Sequence, residues 1–170
     1  MNHRPLPTGP YAVGTATYTV YTDRAELRAP GTRRCVPVRV YYPADKAAVA
    51  GRKKARYMSR NVAQGLKKAL HVPIPYDKQE AAGNNVSECY PDAPRIEGTR
   101  FPPVVFNHGL SSYRESNSFL CLELVSQGLP GIFHGVQSVL LPFGDAAEDE
   151  LSVLALQLVE LVCQLPVRAL

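Results

Sequence analysis

Apolar and polar positions change period several times along this chain, and each change marks an element. Tyr11 to Tyr21 alternates small polar with apolar residues and is rich in β-branched types (Thr15, Thr17, Thr19, Val20), which predicts a strand. Asp23 to Arg34 holds charges, Pro30 and Gly31 and reads as a connection. Cys35 to Tyr42 sets Val36, Val38 and Val40 against Pro37 and Arg39, a second strand in which Pro37 marks an edge or a bulge. Pro43 stops it, and the two strands are expected to form an antiparallel ribbon. Residues 44–57 are a basic connection. Val62, Leu66 and Leu70, four apart from Ser59 onward, predict a short amphipathic helix interrupted by Gly65. Residues 71–102, rich in Pro, Gly and Asn, read as a long excursion.

The pattern changes again at Pro103. Pro103 to Asn107 is apolar on both sides, as in a strand buried between two layers. Ser112-Tyr-Arg-Glu115 has the spacing of a capping box, with Ser112 at the N-cap and Glu115 three residues later. The helix it opens carries Phe119, Leu122 and Val125 and ends at Gly128. Strand, turn and helix make the start of an α/β unit. A parallel strand should follow, but Leu129 to Val136 is interrupted by Pro130, Gly131 and Gly135. Val136 to Leu141 is the better candidate for an extended segment. Asp145 to Glu148 is a second helix cap, and Leu151, Leu154, Leu158, Leu161 and Leu165 form a regular stripe up to Pro166.

Composition narrows the class. With 45% apolar and 20% charged residues the 170-residue chain is globular, of the length of one domain. No apolar signal region opens it and no stretch is long enough to span a membrane, which predicts a cytoplasmic protein. Cys35, Cys89, Cys121 and Cys163 lack the paired spacing of a zinc site; scattered reduced thiols and no metal are expected. The net charge of +4 conceals a block from Lys46 to Lys68 with eight Lys or Arg and no acid. Such a block attracts anionic surfaces. Tyr57 is its one aromatic residue, too sparse for the stacking that nucleic-acid binding uses. Weak contact with an anionic membrane through 46–70 is the expectation, and nucleic acid is not.

The candidate chemistry lies in Phe101-Pro-Pro-Val-Val-Phe-Asn-His-Gly-Leu110. A buried strand ending in His108-Gly109-Leu110 and opening into a helix is the layout of an oxyanion hole, whose donors stabilise a carbonyl oxygen under attack. The attacking serine of such sites sits in Gly-x-Ser-x-Gly, and none of the 170 residues makes that motif. Ser111 and Ser112 lie beside the turn, with Ser112 read as the helix cap.

Pro7-Thr-Gly-Pro-Tyr-Ala-Val-Gly14, the Arg39-Val-Tyr-Tyr-Pro43 strand end and Phe101 to Gly128 resemble the N-terminal portion of the platelet-activating factor acetylhydrolase family, one of the α/β-hydrolases. The resemblance covers roughly 5–128 and is loose between 44 and 100. It implies a calcium-independent serine esterase that removes short sn-2 acyl groups from phospholipids in lipid degradation, the 1-alkyl-2-acetylglycerophosphocholine esterase type, without a cofactor. Leu110 would donate its backbone N–H to the oxyanion, and His108 and Gly109 would shape the turn. The Ser nucleophile and its Asp and His partners have no counterpart here, and His134 is not where a triad base stands.

The expectation is therefore a single partial α/β-hydrolase domain over 1–170, family-like over 5–128 and divergent over 129–170. Its fold would be an incomplete α/β-hydrolase-like sheet, an antiparallel N-terminal ribbon plus one central strand, with flanking helices. In the family later strands flank the strand of the oxyanion turn. Pro103 to Asn107 is thus expected to lack both neighbours, with Val136 to Leu141 substituting for one. The chain would be truncated before its nucleophile, inactive alone and prone to aggregate at that edge. The alternative is a non-catalytic interaction module that self-associates through the leucine helix 145–165.

Overall fold

A computed structural model describes residues 6–26, 29–59, 62, 64–65, 87–107 and 113–134. Its centre is the ribbon of β1 (Ala12–Glu26) and β2 (Ala29–Ala44). The two are antiparallel and in unbroken register from Ala12↔Ala44 to Tyr21↔Cys35. Both strands run further than the alternation indicated. The expected connection Asp23 to Arg34 is largely strand, with register shifts between Tyr21 and Glu26. A ribbon wet on both faces admits charged residues, so hydrophobic alternation loses its signal there. Gly31, at φ +92°, takes up a backbone conformation that side chains disfavour.

The sheet grows on both sides of this ribbon. β3 (Tyr90–Pro91) lies parallel to β1 at Gly14 and Thr15. On the other side come β5 (Gly131–His134) and then β4 (Val104–Asn107), giving the order β3-β1-β2-β5-β4. β5 is antiparallel to β2, from Val38↔His134 to Tyr41↔Gly131. It is parallel to β4, from Val104↔Gly131 to Asn107↔His134. The strand of the expected oxyanion turn thus has a neighbour, and Gly131 to His134 supplies it. The interruptions seen in the sequence do not prevent this, because they fall at the ends of a four-residue strand. Pro130 precedes it, where its missing N–H costs no ladder bond, and its carbonyl accepts the Val104 N–H at 2.7 Å. Pro37 stands just outside the stretch where β2 meets β5.

Part of the long excursion is also pinned to the sheet. Ala55 donates to the Cys89 carbonyl and Ser87 to the Ala55 carbonyl, both at 2.8 Å. The helix expected after Ser59 appears at Val62, Gln64 and Gly65, and the Ser59 hydroxyl accepts the Val62 N–H at 3.2 Å; the rest of it lies outside the described residues. So do the segment Val136 to Leu141 and the leucine helix.

Helix α1 (Ser118–Ser126) covers one sheet face. Ser118, Cys121, Leu122, Val125 and Ser126 are buried along it, the three-four spacing of a helix pressed on a surface. Cys121, Leu122 and Val125 pack with Val13, Tyr41, Ala55 and Cys89, and Phe106 of β4 joins them. Full burial of a side chain such as Leu122 contributes about 1.5–3 kcal/mol. Ala16, Val38, Val40 and Tyr42 are buried on the opposite face. The expected capping box is not how α1 begins. Asn117 is the N-cap, without a side-chain cap bond, so Ser112 lies a full turn too early and Glu115 is used elsewhere. The C-terminus is as expected. Gly128, at φ +90°, donates to the Val125 carbonyl, and Leu129 to that of Leu124, each at 3.0 Å. This is a Schellman motif.

Candidate functional site

β4 and β5 run parallel and finish side by side, with Asn107 opposite His134. In α/β sheets, ligands bind outside the carboxyl ends of such strands. The expected site residues His108, Gly109 and Leu110, with Ser111 and Ser112, follow directly on β4 and lie outside the described residues. What the structure describes is the support on either side: β4 before the turn, and residues 113–117 with α1 after it.

The segment after the turn is held by a buried charge cluster. Glu115 is 1% exposed and takes two hydrogen bonds from Arg114, at 2.7 and 3.0 Å. Arg39 of β2 approaches the same carboxylate oxygen at 3.9 Å and donates to the Tyr57 carbonyl at 3.2 Å. The Tyr57 hydroxyl donates to the Glu115 carbonyl at 2.8 Å, and its ring stacks on Phe119 of α1. Buried charges persist where they are paired and hydrogen-bonded, and here two guanidinium groups face one carboxylate. Burial works against the Arg39 charge, but Tyr41 and Glu115 outweigh it and hold the guanidinium pKa above its usual value. Burial pushes the Tyr41 hydroxyl well above its ordinary range. The alternation of β2 had placed Arg39 opposite the valines. It does face away from Val38 and Val40, yet that face is buried too. A basic residue within the apolar run from Val36 to Tyr42 is the signal in the sequence that could have marked this partner of Glu115.

The other end of α1 is tied to the N-terminal segment. Thr8 donates its backbone N–H to Glu123 at 2.8 Å and its hydroxyl to the same carboxylate. Gly9 donates to the Ser126 hydroxyl at 3.0 Å, and Tyr11 to the Ser126 carbonyl at 3.1 Å. Hydrogen bonds from Gln127 and Thr8 hold the Glu123 pKa below the usual carboxylate range. Gly9 passes so close that a Cβ there would collide with the Ser126 carbonyl. The Pro-Thr-Gly-Pro-Tyr opening therefore acts as a strap across the end of the helix that follows the turn.

The basic block is partly engaged. Lys46 donates to the Gly9 carbonyl, Arg52 to those of Pro91 and Asp92, and Lys54 pairs with Glu88 at 2.6 Å. Lys53 and Arg56 are exposed. Cys35 is exposed while Cys89 and Cys121 are buried, all three as free thiols. Among the described residues no helix is long and apolar enough to cross a membrane.

A comparison with curated protein sequences gives no match. Among solved structures the chain is similar to a ferulic acid esterase from Streptomyces cinnamoneus, with a TM-score of 0.61 at 19% identity. That likeness covers 81% of this chain but 38% of the esterase, so the chain spans well under half of that enzyme's length. At such identity the likeness concerns the fold, which is that of part of an α/β-hydrolase. In sequence, the model of the family described as platelet-activating factor acetylhydrolase, isoform II, matches residues 2–132 of the 170. From the strap through α1 to β5, this chain belongs to the platelet-activating factor acetylhydrolase family.

Proposed function

We propose that the chain carries the oxyanion half of an ester hydrolase directed at short sn-2 acyl groups of phospholipids. The observation that carries this is the family match over residues 2–132, which contains His108-Gly109-Leu110 at the carboxyl end of β4. Leu110 is the backbone donor to the oxyanion, and His108 and Gly109 shape the turn that aims it. Catalysis at such a site depends on donors held where charge develops; the Glu115 cluster holds the segment that follows the turn, and the Thr8–Gly9 strap holds the far end of α1. The 170 residues contain no Gly-x-Ser-x-Gly, so efficient acyl transfer, which needs a base-activated nucleophile, is not expected of this chain by itself. Removal of a triad leaves only the residual rate of binding and oxyanion donors.

The test is hydrolysis of p-nitrophenyl acetate and of a short-acyl phospholipid by the purified protein. The expected result is a rate at or barely above the uncatalysed one, unchanged in Ser112→Ala. Multiple turnovers that vanish in Ser112→Ala would overturn the reading, because Ser112 would then be a nucleophile. Contact with an anionic lipid surface through 46–70 belongs to the same proposal, supported by the exposed Lys53 and Arg56. Each basic residue near such a surface contributes about 1 kcal/mol. Co-sedimentation with anionic vesicles is expected to exceed that with neutral ones, and equal binding would sink the membrane part alone.

A further inference from the structure

Past Thr15 the outer edge of β1 has no strand beside it among the described residues, because β3 pairs only with Gly14 and Thr15. One bond fixes which residues face that edge. Asp92 donates its N–H to the Thr15 carbonyl at 3.0 Å, so Thr15 turns its backbone groups away from β2. Strand geometry repeats every second residue, so Thr17, Thr19 and Tyr21 turn theirs the same way. Their side chains are exposed, that of Tyr21 to 59%. Pro37 agrees with this parity. It lies opposite Thr19, in a pair that exchanges no hydrogen bonds within the ribbon, where a missing N–H costs nothing.

This edge lacks the devices that keep sheet edges apart, which are charges, prolines and bulges. From Ala12 to Thr22 it has no charged residue and no proline, and its register with β2 is regular to Tyr21. The ribbon beyond the sheet is also only two strands wide, a marginal structure in water.

We propose that β1 pairs antiparallel with β1 of a second copy of this chain, centred on Thr19, giving a closed two-fold dimer with strand order β2-β1-β1-β2. Three observations choose the copy and the centre. A two-fold axis normal to the sheet pairs residues of one face with one another. A centre at Thr17 would use Thr15, which β3 already occupies. A centre at Tyr21 would need the irregular stretch toward Ala25. Centring on Thr19 sets Thr19 against its own copy and Thr17 against Tyr21 on the exposed face. On the other face Tyr18 meets Val20. Threonine pairs and aromatic–β-branched pairs are the favourable cross-strand combinations, and a surface complementary to itself is what a two-fold interface requires.

The inference does not rest on the esterase reading, and its test reads assembly alone. Sedimentation velocity of the full chain from low to high micromolar concentration is expected to show a monomer–dimer equilibrium. Thr19→Pro removes the outward N–H and Thr19→Lys sets two like charges at the centre. Each is expected to weaken the dimer by about tenfold or more, with an unchanged far-ultraviolet circular dichroism spectrum. Amide exchange at Thr17, Thr19 and Tyr21 should slow as the dimer fills in the unsubstituted chain. A monomer at every concentration overturns the proposal. So does a dimer that survives Thr19→Lys, or one abolished by Leu158→Glu while those three amides exchange quickly throughout.

Discussion

At the scale of single residues, the side chains that matter most are those that keep a polar group where water is excluded. Glu115 has the company of Arg114 and Arg39 in a site that leaves it 1% exposed. Removing one member of a buried ion cluster costs far more than the cluster itself contributes, because the remaining charges keep their desolvation and lose their partner. Glu115→Gln is expected to destabilise the fold by about 3 kcal/mol, read as a lower urea midpoint at unchanged slope. A loss under roughly 0.5 kcal/mol, the range of surface substitutions, would show that the carboxylate is solvated in solution. The thiols behave differently, since burial outweighs whatever favours their charged form, at Cys89 the hydrogen bond with Ser87 and the charge of Arg39. Burial pushes Cys89 up to about 11 and Cys121 up to about 12, while Cys35 is exposed. Maleimide labelling of the native protein near pH 8, followed by peptide mapping, should therefore modify Cys35 and spare Cys89 and Cys121 until denaturant is added.

At the scale of elements, α1 is fastened at both ends by segments distant in sequence. The segment leading into it meets Tyr57 through the Glu115 carbonyl, and its first turn does so through the Phe119 ring. Its last turn meets the Thr8–Tyr11 strap through Glu123 and Ser126. Gly9 is small because of this contact, since a Cβ would meet the Ser126 carbonyl, a backbone atom that cannot step aside. Gly9→Ala is expected to cost about 1–3 kcal/mol, the range of overpacked sites, and to speed amide exchange of Tyr11 ahead of the β1–β2 ladder. If that amide remains as protected as in the unsubstituted chain, the strap is not what holds the end of α1. The Glu123 carboxylate gives the same strap a pH dependence. Its pKa is lowered in the fold, so its contribution is present above the unfolded carboxylate value and fades as pH falls through the folded one.

At the scale of the whole molecule, each sheet face carries a buried cluster, and the ionisable groups enclosed there set the alkaline limit. Cys89 and Cys121 have ordinary values of 9.0. Tyr42 is raised from 10.0 to about 12, chiefly by burial. In each case the folded chain keeps a proton that the unfolded chain releases. Stability from these groups is therefore complete below pH 9 and declines as pH rises through the folded values. The thermal midpoint should be level from pH 7 to 8.5 and fall between pH 9 and 11, with Cys121→Ala reducing the slope. A midpoint that stays level to pH 11 would contradict the burial of these groups.

The sequence by itself determined the elements whose information is local. The β1–β2 ribbon, the strand Val104–Asn107, the Gly128 stop of α1 and the Leu122–Val125 face could all be read from period, breakers and β-branched content. Each depends on residues a few positions apart. The motifs from Pro7 to Tyr11 and from Phe101 to Leu110 also carried the family likeness, and with it the α/β-hydrolase fold. What only the tertiary structure decided depends on residues far apart. Gly131–His134 becomes a strand between two breakers because β2 and β4 offer it hydrogen bonds on both sides. The ends of the ribbon pair despite their charges because backbone bonds, not burial, hold them. Glu115 pairs with Arg114 and Arg39 rather than capping α1 because a buried carboxylate is better stabilised by guanidinium charges than by one neutral amide.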